Sequence, residues 1–253
     1  MRRLLFGIAL LALPALTASA AAQEAPDLSG FWAPTMTAPE SDQGMLAKLP
    51  PDTVLLEDIG AFEYPPGEFG GLKLTPAAQA KAEAWKPQDE MTIARVCEPP
   101  AAIYSIQGPF PFEVYQTPEL IVFKYEYYDQ MRLVFMDGRG HPPADAPHTK
   151  TGHSIGHWEG DELVVDTTHL ASSTITNNGL DHGEQAHMVE RYKLSEDGRA
   201  LLQTQWFEDP EMLENSGARF MRWERQPGQY VFPYECDPSF ALEYQQVGEQ
   251  GGN

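Results

Sequence analysis

Seven histidines fall between His141 and His187, a window of less than a fifth of the 253-residue chain, and none lies outside it. They are His141, His148, His153, His157, His169, His182 and His187. Histidine changes charge near neutral pH, so such a cluster suits general acid–base catalysis or metal binding. Carboxylates able to orient or perturb a histidine base are close in sequence: Asp137, Asp166, Glu184 and Glu190. Arg132 and Arg139 are candidates to stabilise a developing oxyanion. The candidate catalytic set is therefore His153, His187, His141, His182, Arg132, Arg139, Asp137 and Glu184, with His153 or His187 as the base.

Metal chemistry is narrower. His153 and His157 have the H-x-x-x-H spacing that unites two ligands on a helix. Here the flanking pattern is strand, which sets them about 13 Å apart, too far for one ion. His182-Gly183-Glu184 echoes part of a deaminase signature whose Pro-Cys-x-x-Cys half is missing. A divalent metal held by His141, His153 and His187 from separate hairpins stays an alternative. No other cofactor is expected, nor is serine-hydrolase chemistry.

The elements that must carry these residues are strands. From Phe112 onward, apolar alternation is broken by turn signals at regular spacing. Segments 119–127 and 131–136 form one expected hairpin, 152–158 and 162–169 a second. Segments 186–194 and 199–208 form a third, and 218–225 with 229–235 a fourth, around Gln226-Pro227-Gly228. Eight antiparallel strands in succession remove their edges by closing into a barrel. The expected class is mainly β: an eight-stranded antiparallel barrel with an N-terminal wrap and one short helix. In the strand from Ala186, His187, Val189 and Arg191 share one face, and Met188, Glu190 and Tyr192 the other. Among the many strand aromatics, Tyr125, Tyr127, Phe135, Trp158, Trp206 and Trp223 are the candidates to line a site for a small apolar or aromatic molecule.

The N-terminus bounds where this happens. Arg2 and Arg3 precede an apolar run from Leu4 to Leu16, then small residues at Ala18-Ser19-Ala20 and Ala20-Ala21-Ala22, the pattern of a cleavable signal peptide. Residues 1–22 are read as that signal and 23–253 as one domain, irregular to about residue 110. The expected location is the periplasm or the extracellular space. The run is too short to span a membrane, so no membrane insertion is expected. Without Arg2 and Arg3 the chain keeps 15 basic against 37 acidic residues, a net −22. Such a surface repels phosphate backbones, which disfavours nucleic-acid partners. Cys97 and Cys236, an even pair in an exported chain, are expected to form a disulfide closing a long loop. Thr75 and Pro76 mark a helix start and Pro87 its stop.

Three motifs are familiar. Met136-Asp137-Gly138-Arg139-Gly140-His141-Pro142 is the first. Gly152 to Asp161, with Leu163-Val164-Val165-Asp166-Thr167 behind it, is the second, and His182 to Arg191 is the third. Together they resemble a broad family of uncharacterised secreted bacterial proteins, over roughly Leu74 to Cys236. The resemblance implies a common site at His141, His153, His182 and His187. It departs at His157, where the family usually has arginine, and at Gly183, where it commonly has serine. Gly30-Phe31-Trp32 resembles the G-x-W of lipocalin-like barrels, which agrees with the strand pattern.

The favoured expectation is an exported barrel acting as a lyase or isomerase through histidine–carboxylate chemistry. A non-catalytic ligand-binding protein and a metal-dependent hydrolase are the alternatives.

Overall fold

The computed structural model describes residues 25–35, 41–57, 64–107 and 109–244. The proposed signal peptide lies outside them.

Nine strands close into a barrel. In spatial order they are β1 (Gly30–Pro34), β3 (Phe112–Gln116), β4 (Leu120–Tyr125), β5 (Met131–Phe135), β6 (His153–Glu159), β7 (Glu162–Thr168), β10 (His187–Leu194), β11 (Ala200–Glu208) and β12 (Gly217–Arg225), which returns to β1. The eight-stranded antiparallel expectation needs correcting on both counts. An odd ring cannot alternate direction all the way round, so one pair must run parallel. It is β5 and β6, joined by the long segment 136–152 and aligned at Val134↔Ser154 and Phe135↔Ile155.

Three of the four expected hairpins are present; the fourth is not. Residues 229–235 form no strand, because the free edge of β12 is already occupied. Its C-terminal half pairs with β1 (Trp32↔Arg225) and its N-terminal half with the short parallel strand β2 (Val54–Leu55). The missing places are filled by β1 and by β3, a five-residue strand bracketed by prolines.

The barrel is solid. Trp32, Phe112, Phe123, Tyr125, Tyr192 and Trp223 pack inside with Val114, Ile121, Val134, Leu163, Val165, Leu201 and Met221. In an interior of this width side chains meet across the axis. A second apolar cluster caps one end. There Leu170, Ile175, Leu180, Met188 and Phe207 meet the short helix α4 (Ala102–Ser105), with β8 (Ser173–Thr176) and β9 (Leu180–His182) paired beside it. The three helices before it are α1 (Gln43–Leu46), α2 (Pro76–Ala84) and α3 (Pro87–Glu90). Helix α2 starts as expected: Thr75 Oγ1 accepts the Ala78 N–H at 3.3 Å, and Pro76 occupies the first turn.

Cys97 and Cys236 are bonded. Cys236 lies in the irregular segment beyond β12, not in a last strand. Joining residues 139 positions apart, the bond removes much of the unfolded chain's freedom. Reduction should therefore cost about 2–4 kcal/mol. Urea unfolding with and without reductant checks this; equal midpoints would refute it.

Candidate functional site

Strand alternation decides what faces out. On β6, Ser154 and Gly156 turn inward, so His153, Ile155 and His157 face outward. On β7, Leu163, Val165 and Thr167 are buried inside, leaving Asp166 outside. On β10 the outward set is His187, Val189 and Arg191. Register then aligns them: His153 opposes Thr168, and Asp166 sits between Ile155 and Val189. His153 and His187 thus fall diagonally on either side of Asp166, and the loop 136–152 brings His141 down between them.

Two glycines make the approach fit. Gly152 has φ +64°, and a Cβ there would lie 2.6 Å from the Thr168 carbonyl oxygen. A Cβ on Gly156 would meet Met136 Sδ at 2.6 Å and Val134 Cγ1 at 2.8 Å, so only glycine lets β6 lie against β5 there. Gly152-His153-Ser154-Ile155-Gly156 also spells G-x-S-x-G, so the letters of a serine-hydrolase elbow are present, contrary to the expectation from sequence. They lie within a strand, however. Ser154 is buried in the barrel, bonded to Arg132 at 3.0 Å and Thr167 at 2.9 Å.

The contacts form a chain. Asp166 Oδ1 is 3.0 Å from His141 Nε2 and 3.0 Å from His187 Nε2. His141 Nδ1 is 3.1 Å from His153 Nδ1. A carboxylate only accepts, so His141 donates its Nε2–H to Asp166, and in the neutral imidazole its Nδ1 then carries a lone pair. With both rings neutral, His153 donates Nδ1–H to that lone pair, which leaves His153 Nε2 unprotonated. That nitrogen has no hydrogen-bond partner among the described residues.

The histidines at the two ends are tuned in opposite directions. The Asp166 hydrogen bond raises the pKa of His187 above the ordinary 6.5, outweighing burial, with help from Glu208 at 3.7 Å. Burial lowers that of His153, as do the neighbouring His141, His169 and Arg139. Burial opposes ionisation of Asp166, yet the hydrogen bonds from His187 and His141 hold its pKa below the usual value. One histidine shifted toward its neutral form and one shifted toward its charged form are thus linked through one carboxylate.

The surroundings are apolar and partly open. The Phe135 ring stacks on His153 with centroids 5.2 Å apart, and the Arg139 guanidinium lies 3.9 Å over its centre. Trp206 meets His187 edge-on at 5.7 Å. Asp137 binds Arg139 through both carboxylate oxygens, which pushes the Asp137 pKa down to about 2.

Of the residues expected from sequence, His141, His153, His187, Arg139, Asp137, Phe135 and Trp206 come together. Others go elsewhere. Arg132 is inside the barrel, paired with Glu190, and Tyr125 and Trp223 belong to the same interior. Trp158 packs against that core at the far end of β6. His182 is buried in β9, its Nδ1 bonded to the Gly183 carbonyl at 2.9 Å. Glu184 is exposed near His148, at 4.0 Å. Tyr127 joins a ring cluster with Phe110, Tyr128 and Tyr234. His157 pairs with Glu159 at 3.1 Å, and His169 bonds the Pro143 carbonyl at 2.9 Å.

Asp166, noted in the sequence only as a neighbouring carboxylate, is the centre of the arrangement, and Glu208 was missed. The signal for both was register: pairing Glu159 with Glu162 across Gly160-Asp161 sets His153 opposite Thr168 and Asp166 on its diagonal.

For the metal alternative, no three His, Cys, Asp or Glu side chains among the described residues are disposed to hold an ion. His141, His153 and His187 do not converge, because His141 aims its two nitrogens at different partners. Compared with known proteins, the chain matches no protein-family model and no curated protein.

Proposed function

We propose that this chain is an exported acid–base enzyme, a lyase or isomerase that moves a proton on a small apolar or aromatic molecule held against the outer wall of the barrel. The observation that carries this is the Asp166–His141–His153 chain, which leaves one imidazole nitrogen free, fixed in orientation and unprotonated near neutral pH. His153 takes the proton, Asp166 and His141 position it, and His187 supplies a proton from the other side of Asp166. Phe135, Ile155, Val189 and Trp206 make the surrounding surface apolar, and Arg139, above Phe135, faces the negative charge that builds on the substrate oxygen. A disulfide suits an oxidising compartment, which supports export. Kinship with the secreted bacterial family that the three motifs resemble belongs to the same reading.

The test uses 2-indanone, an apolar aromatic ketone with acidic C–H bonds beside its carbonyl. Incubated in D₂O with the protein, it should exchange these hydrogens for deuterium faster than in buffer, as read by proton NMR. The kcat/KM of this exchange should be bell-shaped in pH. Its acid limb, where His153 gains a proton, falls below pH 6.5, and its alkaline limb, where His187 loses one, above 6.5. Exchange at the buffer rate across a panel of such ketones, or a rate that rises with pH without turning over, would sink the reading.

A further inference from the structure

A groove of about 710 Å³ lies at the disulfide, and none of His141, His153, Asp166 or His187 lines it. That volume is in the range of small-molecule sites. We propose that it binds a small organic cation with an aromatic or apolar body, seated on tyrosine rings.

Three rings form the aromatic wall. Tyr127 and Tyr128 meet edge-on at 4.7 Å, Tyr128 and Tyr234 lie 4.7 Å apart, and Tyr127 and Tyr234 lie 5.6 Å apart. Trp85 also lines the groove. The wall is fixed from several sides. Tyr128 has the left-handed φ of 56°, unusual for a ring-bearing residue, and its hydroxyl donates to the Val96 carbonyl at 2.8 Å. The Tyr234 N–H donates to Asp129 at 3.0 Å. The disulfide joins the segment through Val96 and Cys97 to the segment from Tyr234 to Asp237, and both segments line the groove.

Charge selects the ligand. Each lining cation is already paired with a lining carboxylate: Lys81 with Asp181 at 2.7 Å, Arg95 with Glu90 at 2.9 Å and Lys150 with Glu98 at 2.8 Å. Glu235 and Asp237 also line it and have no cationic partner among the described residues. The groove therefore carries two uncompensated negative charges beside a cluster of tyrosine rings, and the whole chain is at −20. Both features repel anions, and the ring faces attract a cation directly.

Isothermal titration of the full chain at low salt decides it, with benzyltrimethylammonium as probe and benzyl alcohol and p-toluenesulfonate as shape-matched controls. The cation should bind saturably, about tenfold or more tighter than either control. Tyr234→Ala should weaken it about fivefold or more, Tyr234→Phe should retain it, and the double change Glu235→Gln with Asp237→Asn should weaken it without touching a ring. Asp166→Ala should leave it unchanged. Absence of saturable binding, equal affinity for the sulfonate, full affinity in the double variant, or loss in Asp166→Ala each overturns the proposal. If Tyr234→Ala does not fold, the charge variant alone decides.

Discussion

Alanine at His153 should slow 2-indanone exchange by about 10²–10⁴-fold, the usual worth of a positioned general base, while the protein melts within a few degrees of the parent. The two readouts separate because His153 stands on the outer wall, where its loss opens no cavity in the core. Asp166→Ala should approach the same loss in rate, since it strands His141 and lets the His153 tautomer drift. It should also return the pKa of His187 toward 6.5, a shift visible by NMR. His187→Ala should remove the alkaline limb of the pH profile. His148→Ala and His157→Ala should keep the parent rate, because His148 contacts His169 and Glu184, and His157 pairs with exposed Glu159. If all five variants lose rate in proportion to melting temperature, the histidines are structural and the site is wrong.

The largest loss of stability should come from the barrel interior. Arg132 is 1% exposed and Glu190 0%, and they are paired there. Arg132 also bonds Ser154 at 3.0 Å and Thr167 at 2.7 Å, and Glu190 accepts from Tyr192 and from Gln203, each at 2.9 Å. Arg132→Ala leaves the Glu190 charge buried without a counter-ion and should cost about 3–5 kcal/mol. That amounts to a fall in melting temperature on the order of 10 °C for a domain of this size. Replacing both partners with apolar residues of similar volume, Arg132→Met with Glu190→Leu, should recover most of the loss, because what destabilises is the stranded charge and not the missing attraction. A loss below about 1 kcal/mol for the single variant, by chemical denaturation, would mean that water reaches the pair.

The same pair marks what the sequence could say by itself. Alternation in Met131-Arg132-Leu133-Val134-Phe135 puts Arg132 on the face shared with Val134, and alternation in β10 puts Glu190 with Met188 and Tyr192. Such patterns are local, so the strands of the first three hairpins, their faces, the helix after Thr75 and the pairing of two lone cysteines were all legible. Which face was the inside was not. Period-2 patterning tells two faces apart but does not say which side the sheet curls toward, and here both faces carry apolar residues. The aromatics expected to line one site therefore divided, with Tyr125 and Trp223 in a filled interior and Phe135 and Trp206 beside His153 and His187, which lie on the outer wall.

Closure, too, was settled by contacts far apart in sequence. Residues 226–228 read as a hairpin turn, yet β12 already has β1 on that edge, a strand almost two hundred residues earlier. The odd ninth strand then forces one parallel pair, and the long crossover 136–152 that a parallel pair requires is the segment that delivers His141 to Asp166. Residue types and local spacing determined that histidines and carboxylates would be near one another in the chain. Only the tertiary structure decided that Asp166 would hold two of them, because hydrogen-bond geometry depends on register and closure, which no short stretch of sequence contains.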